Sequence, residues 1–282
     1  MKTTIKLFLM DGTATGRIKC SFSSGWNGIG YKIPKSDLDK CDNITFLKQA
    51  GVYFLFGCDE EDSEFVYVGQ GNKRQNGQGV LSRIKEAHDS VPLWNACVVF
   101  VSSGEDIGPT ELNYLENRFT NMASVSGRYL VKNNKNPSSS QLSEEDEADM
   151  SLFIENSKLI LSALGYRVLE EPLVTNNDKQ TTYTYSYNGK KAKGVLSDDG
   201  FVLLKGSQLN DESSFAKRWI KKIPAQRNLY KNKIENLVTT EDILFKSSSG
   251  AACFCSGQSV SGPKNWVDSD GISLENKIKK NV

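Results

Sequence analysis

Ile5, Leu7 and Leu9 alternate with Lys6 and Phe8, Asp11-Gly12 supplies a turn, and an extended pattern resumes from Arg17 to Phe22. This order predicts a β-hairpin. Ser36-x-x-Asp39 then opens one short helix. From residue 51 the pattern predicts strand, strand, helix, strand, helix, loop, helix. Gly51 to Phe56 and Phe65 to Gly69 are apolar and aromatic, with the polar CDEEDSE as a hairpin connection. Val80, Leu81, Ile84 and Ala87 recur at helical spacing, and Ala96 to Val101 is a continuous strand of the buried kind. Leu112, Leu115, Phe119 and Met122 fit one face of a helix begun by Pro109-Thr110. Ser143-x-x-Asp146 caps a further helix lined by Met150, Phe153, Ile154, Leu161 and Leu164, and Gly165 stops it. The acidic run Glu144 to Asp149 then complements the dipole at that helix's N-terminus.

Periodicity fades over residues 172–184, which read as a linker. Beyond it, Tyr183 to Tyr187 and Val195 to Leu204 are hairpin-like, Ser213 to Ile223 reads as a basic helix with more helix to about Leu237, and short Ser- and Gly-rich elements follow to Trp266. The expected organisation is α+β: a β-rich segment at 1–50, a domain at 51–171 with a small antiparallel sheet flanked by helices, the linker, and a separate α+β domain at 185–282.

A length of 282 residues suits two domains, and 38% apolar with 24% charged residues is ordinary for a packed globular chain. The net charge of +1 argues against indiscriminate coating of polyanions and leaves room for a local basic groove. The six cysteines form no C-x-x-C pair, so a zinc site is not indicated, and Cys253-x-Cys255 lies in an apolar run that reads as a strand. The opening run MKTTIKLFLMDG is broken at Asp11, too early for a signal peptide or a membrane span. The expected setting is a reducing cytoplasm, with free thiols and no membrane.

Chemistry gathers in the middle of the chain. Alternate side chains of a strand share a face, so pairing of Gly51-Val52-Tyr53 with Tyr67-Val68-Gly69 projects both phenols from one side of the sheet, with glycines leaving room for a phosphate. Arg83 follows in the next helix, and its planar fork suits a pair of phosphate oxygens. Glu116 stands at the margin of the apolar stripe of the helix after that, from which its carboxylate reaches toward the sheet. Near the other end, Lys217, Arg218, Lys221 and Lys222 surround Trp219, and Lys217 with Lys221, like Arg218 with Lys222, is spaced to share a helix face suited to phosphates.

This order, closed by the Asn-rich loop at 133–136, resembles the GIY-YIG nuclease superfamily, which includes homing endonucleases and the excision-repair incision nuclease. VLSRIKEAH, PTELNYLENRF and GRYLVKNNKNP resemble a bacterial branch in which the nuclease precedes a C-terminal domain of unknown function. FVLLKGS and LFKSSSGAACFCSGQSVSG resemble that second domain. The resemblance implies a metal-dependent endonuclease hydrolysing nucleic acid, DNA in the first place, with one Mg²⁺ or Mn²⁺ held chiefly by Glu116. It implies that Arg83 holds the phosphate, that Tyr53 takes the proton of an attacking water, and that Tyr67 positions water or phosphate. A free Tyr has a pKa of about 10, so the role given to Tyr53 needs a cationic neighbour, for which Arg83, Lys73 and the metal are candidates.

A loop Asn would shape the metal site, and its spacing from Arg128-Tyr129 favours Asn133 over Asn134 and Asn136. Some members of the superfamily carry a His soon after the Arg as base. His88 stands five residues beyond Arg83, roughly 140° around a regular helix, and joins the site only if the helix ends before it. Lys73, Arg74, Lys217, Arg218, Lys221 and Lys222 are the candidate nucleic-acid contacts. The competing reading is a catalytically weak or inactive protein that binds or tethers nucleic acid on the same fold.

Overall fold

A computed structural model describes residues 2–60, 63–73, 78–86, 91–104, 107–133, 140–170 and 181–280. The chain is of the α+β kind and divides into two units, Met1–Glu171 and Pro172–Val282.

The first unit is built on a seven-stranded sheet. Its strands are β1 (Ile5–Leu9), β2 (Ile18–Phe22), β3 (Gly28–Pro34), β4 (Gly51–Cys58), β5 (Glu64–Gly71), β6 (Trp94–Ser102) and β7 (Leu130–Val131), and its helices are α1 (Val80–Lys85), α2 (Pro109–Ser126) and α3 (Glu144–Ala163). The strands lie in the order β1-β2-β3-β6-β4-β5-β7, with every neighbouring pair antiparallel except β5 and β7. The first fifty residues, set apart by sequence as a β-rich segment, therefore contribute β1 to β3 to the same sheet as the tyrosine strands: β3 pairs with β6 from Gly28 opposite Ser102 to Pro34 opposite Ala96. Pairing partners this distant leave no local signal.

The period-2 alternation of strands divides the core between two faces. Val52, Phe54, Phe56, Val66, Val68 and Phe100 pack beneath α2 and α3. Tyr53, Leu55, Phe65, Val99 and Tyr31 face the other way, toward Val80 and Ile84 of α1 and toward Cys41 and Leu47 of two 3-10 segments (Lys35–Cys41 and Thr45–Lys48). With both faces covered, β4 is buried from Gly51 to Gly57 and reads as an unbroken apolar run. Ser143 caps α3 by accepting a hydrogen bond from the Asp146 amide, and Gly165 takes a φ of 90° just beyond the helix end.

In the second unit, β8 (Thr182–Tyr187), β9 (Lys190–Ser197), β10 (Gly200–Leu203) and β13 (Ile243–Phe245) form an antiparallel sheet in the order β13-β10-β9-β8. The remaining elements are α4 (Lys222–Leu229), the two-residue pair β11 (Ile234–Glu235) and β12 (Val238–Thr239), α5 (Ser248–Ser256), α6 (Gly262–Asn265) and α7 (Leu274–Lys280). Phe201, Phe245, Phe254 and Trp266 lie in its core. Residues 172–180 of the expected linker lie outside the described residues, and 182–184 belong to β8.

Three expectations for this unit change. Cys253 and Cys255 sit in α5, not in a strand: Ser247 caps its start, Gly257 ends it at a φ of 68°, and burial on nearly all sides hides the helical period. The basic helix at 213–223 is broken, because Phe215 and Ala216 are extended (ψ 138° and 145°). Phe215 is held in that place by Gly257, where a Cβ would meet its Cδ1 at 1.9 Å, and by the Arg227 guanidinium 4.9 Å over its ring. The helix toward Leu237 stops at α4, and Asn236 and Leu237, both at positive φ, make the tight turn between β11 and β12. Among the described residues no helix is long and apolar enough to cross a membrane.

The core of the first unit turns on Phe119, which is fully buried with its ring 5.1 Å from that of Phe54. Phe119→Ala is expected to cost about 3–5 kcal/mol through lost burial and the cavity left behind, read from denaturant unfolding. A cost below about 1 kcal/mol would show that α2 is not fixed by this contact.

Candidate active site

The site is set by the register of β4 against β5. Tyr53 pairs with Gly69, and Leu55 with Tyr67, so the two phenols share a sheet face as expected, with ring centroids 6.4 Å apart. The glycines have measurable work. A Cβ on Gly69 would stand 2.5 Å from Cζ and Oη of Tyr53, so only glycine lets that ring lie across β5. A Cβ on Gly71 would stand 2.6 Å from the Val80 Cα and 3.2 Å from the Arg83 Cβ, so this glycine lets α1 close on the strand and bring Arg83 with it. Arg83, half-buried, hydrogen-bonds the Tyr67 side chain and also donates to Glu86 three residues on.

Glu116 arrives from the opposite side, because α2 covers the face that carries Val52 and Phe54. Gln70, paired with Val52, shares that face. Gln70 Nε2 donates to Glu116 Oε2 at 3.0 Å and to Asn113 Oδ1 at 2.5 Å. Glu116 is thus anchored at the end of β5, and its charge acts on Tyr53, Tyr67 and Arg83. The structure brings together Tyr53, Tyr67, Arg83 and Glu116, four residues spread over more than sixty positions of sequence.

Electrostatics departs from expectation at Tyr53. Its side chain is fully buried, and burial drives its hydroxyl far above the ordinary phenol value. Tyr67 raises it further, and the Arg83 charge offsets only part. Tyr53 is therefore held as a neutral phenol, because loss of solvation outweighs the Arg83 charge. Tyr67 is also raised by burial and by Glu116, but it is half-exposed and Arg83 opposes the shift by both charge and hydrogen bond. The Glu116 carboxyl is likewise raised, with burial the main cause and the Gln70 bond and Arg83 opposing it. Its charge is under-compensated at neutral pH.

Asn133 is bound to the β5 backbone. Its Oδ1 accepts from the Val68 amide at 3.0 Å and its Nδ2 donates to the Val68 carbonyl at 2.8 Å. Both amide atoms continue the edge of β5 beyond β7, so Asn133 fixes the strand between Tyr67 and Gly69. Lys73 is exposed just beyond β5. His88, Arg74, Asn134 and Asn136 lie outside the described residues.

The donor set around Glu116 suits a hard divalent cation. The two acceptors of Gln70 Nε2 assign the amide orientation and leave Gln70 Oε1 buried without a hydrogen-bond partner among the described residues. One under-compensated carboxylate beside a neutral amide oxygen is the kind of all-oxygen set that Mg²⁺ accepts, since it keeps several waters and takes its remaining ligands from substrate phosphate. Among the described residues no cluster of three or more His, Cys, Asp or Glu offers an alternative metal site. Sequence reading missed Gln70, Asn113 and Glu86. The signals were present: Gln70 sits between the two close-approach glycines, Asn113 lies one helical turn before Glu116, and Glu86 one turn after Arg83.

Residues 182–278, nearly all of the described part of the second unit, match the model of a domain of unknown function, DUF4357. No GIY-YIG family model matches the chain. No curated protein and no solved structure matches it either.

Replacing Gly69 by Ala is expected to push the Tyr53 ring out of its place and to cost about 1–3 kcal/mol by overpacking, measured by unfolding and by the loss of the Tyr53–Tyr67 proximity in NMR. Unchanged stability together with unchanged ring contacts would refute the close approach.

Proposed function

We propose that the first unit is a metal-dependent nuclease that hydrolyses nucleic-acid phosphodiesters, DNA in the first place. The observation that carries this reading is the gathering of two phenols, a guanidinium and a half-buried carboxylate about β5, where Gly69 and Gly71 let the Tyr53 ring and α1 close on the strand. The composite resemblance of these residues to GIY-YIG nucleases agrees with it.

In this reading Arg83 binds two oxygens of the phosphate, sharing or giving up its bond to Glu86. Tyr53, neutral, donates its hydrogen bond to a phosphate oxygen or to the attacking water. Water attacks phosphorus in line, a P–O bond forms, and the P–O bond to the leaving sugar oxygen breaks. The water proton passes to the Tyr67 oxygen, which Arg83 supports as the anion. Glu116 and the Gln70 amide oxygen would hold the divalent ion. When bound, that ion offsets charge on the phosphate and on the leaving oxygen.

A reading as a binding protein without catalysis draws on one observation: Arg83 is already engaged by Glu86. Cleavage of labelled DNA and RNA panels in Mg²⁺ or Mn²⁺, with binding measured in parallel, separates the two. The wild type is expected to cut, and Glu116→Gln, near-isosteric and still able to accept from Gln70, is expected to cut about 10²–10³-fold more slowly while binding as well.

The pH profile adds a signature. Tyr67 must lose its proton and its value is raised, so the rate is expected to climb through neutral pH without a plateau near pH 7, about tenfold per unit. Binding without cutting on any substrate supports the tethering reading, and cutting that survives loss of Glu116 refutes the assigned site.

A further inference from the structure

Charge is not shared evenly between the two units. Residues 1–171 hold eighteen Lys and Arg against twenty-three Asp and Glu, whereas residues 172–282 hold seventeen against eleven. The unit that carries the tyrosines is therefore net acidic, and a polyanion finds its net attraction in the second unit.

Within that unit the cations differ in how they are used. Lys233, Lys277 and Lys279 each pair with a carboxylate. Lys217, Arg218, Lys221 and Lys222 are all exposed, and none of the four has a carboxylate partner among the described residues. The break in the chain at Phe215–Ala216 prevents one continuous helix, yet it leaves all four on the surface around Trp219.

Trp219 is half-buried, and its Nε1 donates to Ser259 Oγ at 2.9 Å, which fixes the indole. The Arg218 guanidinium lies 4.8 Å and the Lys222 ammonium 5.9 Å from its ring. Ile220 beside it is 51% exposed. An anchored indole and an exposed aliphatic side chain among cations without a carboxylate partner among the described residues combine apolar surface with phosphate-binding charge. A duplex offers phosphates but hides its base faces, and gains nothing from the apolar part. An unpaired strand offers both.

We propose that the surface Lys217–Lys222 binds single-stranded nucleic acid, with a base packed on Trp219 and Ile220 and phosphates held by the four cations. This site stands independently of cleavage in the first unit.

The test measures binding of fluorescent single-stranded and duplex 20-mers to the full chain in EDTA, over a range of salt. Single strands are expected to bind more tightly than the duplex. Trp219→Ala is expected to weaken single-strand binding about five- to a hundredfold with little change in salt slope, and Trp219→Phe to retain most of the affinity. Replacing the four cations by Gln is expected to lower the slope of log K against log salt by about 3. Because these four are surface residues, that variant reports even if Trp219→Ala unfolds the unit, which near-UV circular dichroism would reveal.

Equal affinity for duplex and single strand would overturn the proposal, as would a salt slope unmoved by the four substitutions. So would uptake by phosphatidylserine vesicles through these same residues without oligonucleotide binding.

Discussion

Everything at the candidate site depends on the register of β4 against β5. With Tyr53 opposite Gly69, β5 places the Tyr67 phenol beside it on one face and, three residues on, Gln70 on the other. A slip of one residue would exchange those faces, bury Gln70 beneath the α1 side and set a side chain against the Tyr53 ring. The register is secured from several directions. Both tyrosine strands are paired along their length, β4 is sealed on both faces, and Asn133 ties the outer edge of β5 at Val68.

That arrangement explains why the site combines neutral phenols with an uncomfortable carboxylate. Burial holds Tyr53 protonated and raises Glu116, while Arg83 eases both only in part. For a carboxyl whose folded value is raised, the folded state holds its proton longer than the unfolded state. Stability is then full below the ordinary carboxylate value and is lost as pH rises through the raised one. At neutral pH Glu116 therefore works against folding unless a cation meets it. Residues that oppose folding in this way are common where chemistry is performed.

The parts of this design that follow local rules were legible in the sequence. Apolar and aromatic runs located β4 and β5, the period of two gave the shared face of the two tyrosines, and Pro109, Ser143 and Gly165 marked helix ends. What escaped depends on distant partners. That β3 lies beside β6 is a pairing across more than sixty residues. Gln70 and Asn113 matter only through their contact with Glu116. Asn133 looked like a polar residue of a loop and is a backbone clamp. In the second unit, a helix buried on nearly every side concealed its period, and a basic run that scans as helix is interrupted because Phe215 must reach Gly257.

The most direct measurement is the thermal stability of the substrate-free chain at pH 7.5 as Mn²⁺ is added, compared between wild type and Glu116→Gln. Without the ion, the variant is expected to melt no lower than wild type, since it removes a charge that the fold disfavours. With the ion, the wild-type midpoint is expected to rise as binding draws the equilibrium toward the folded state, and that of the variant to stay in place. A wild type indifferent to Mn²⁺, or a variant stabilised as much as the wild type, would contradict the assignment of Glu116 as the residue that holds the metal.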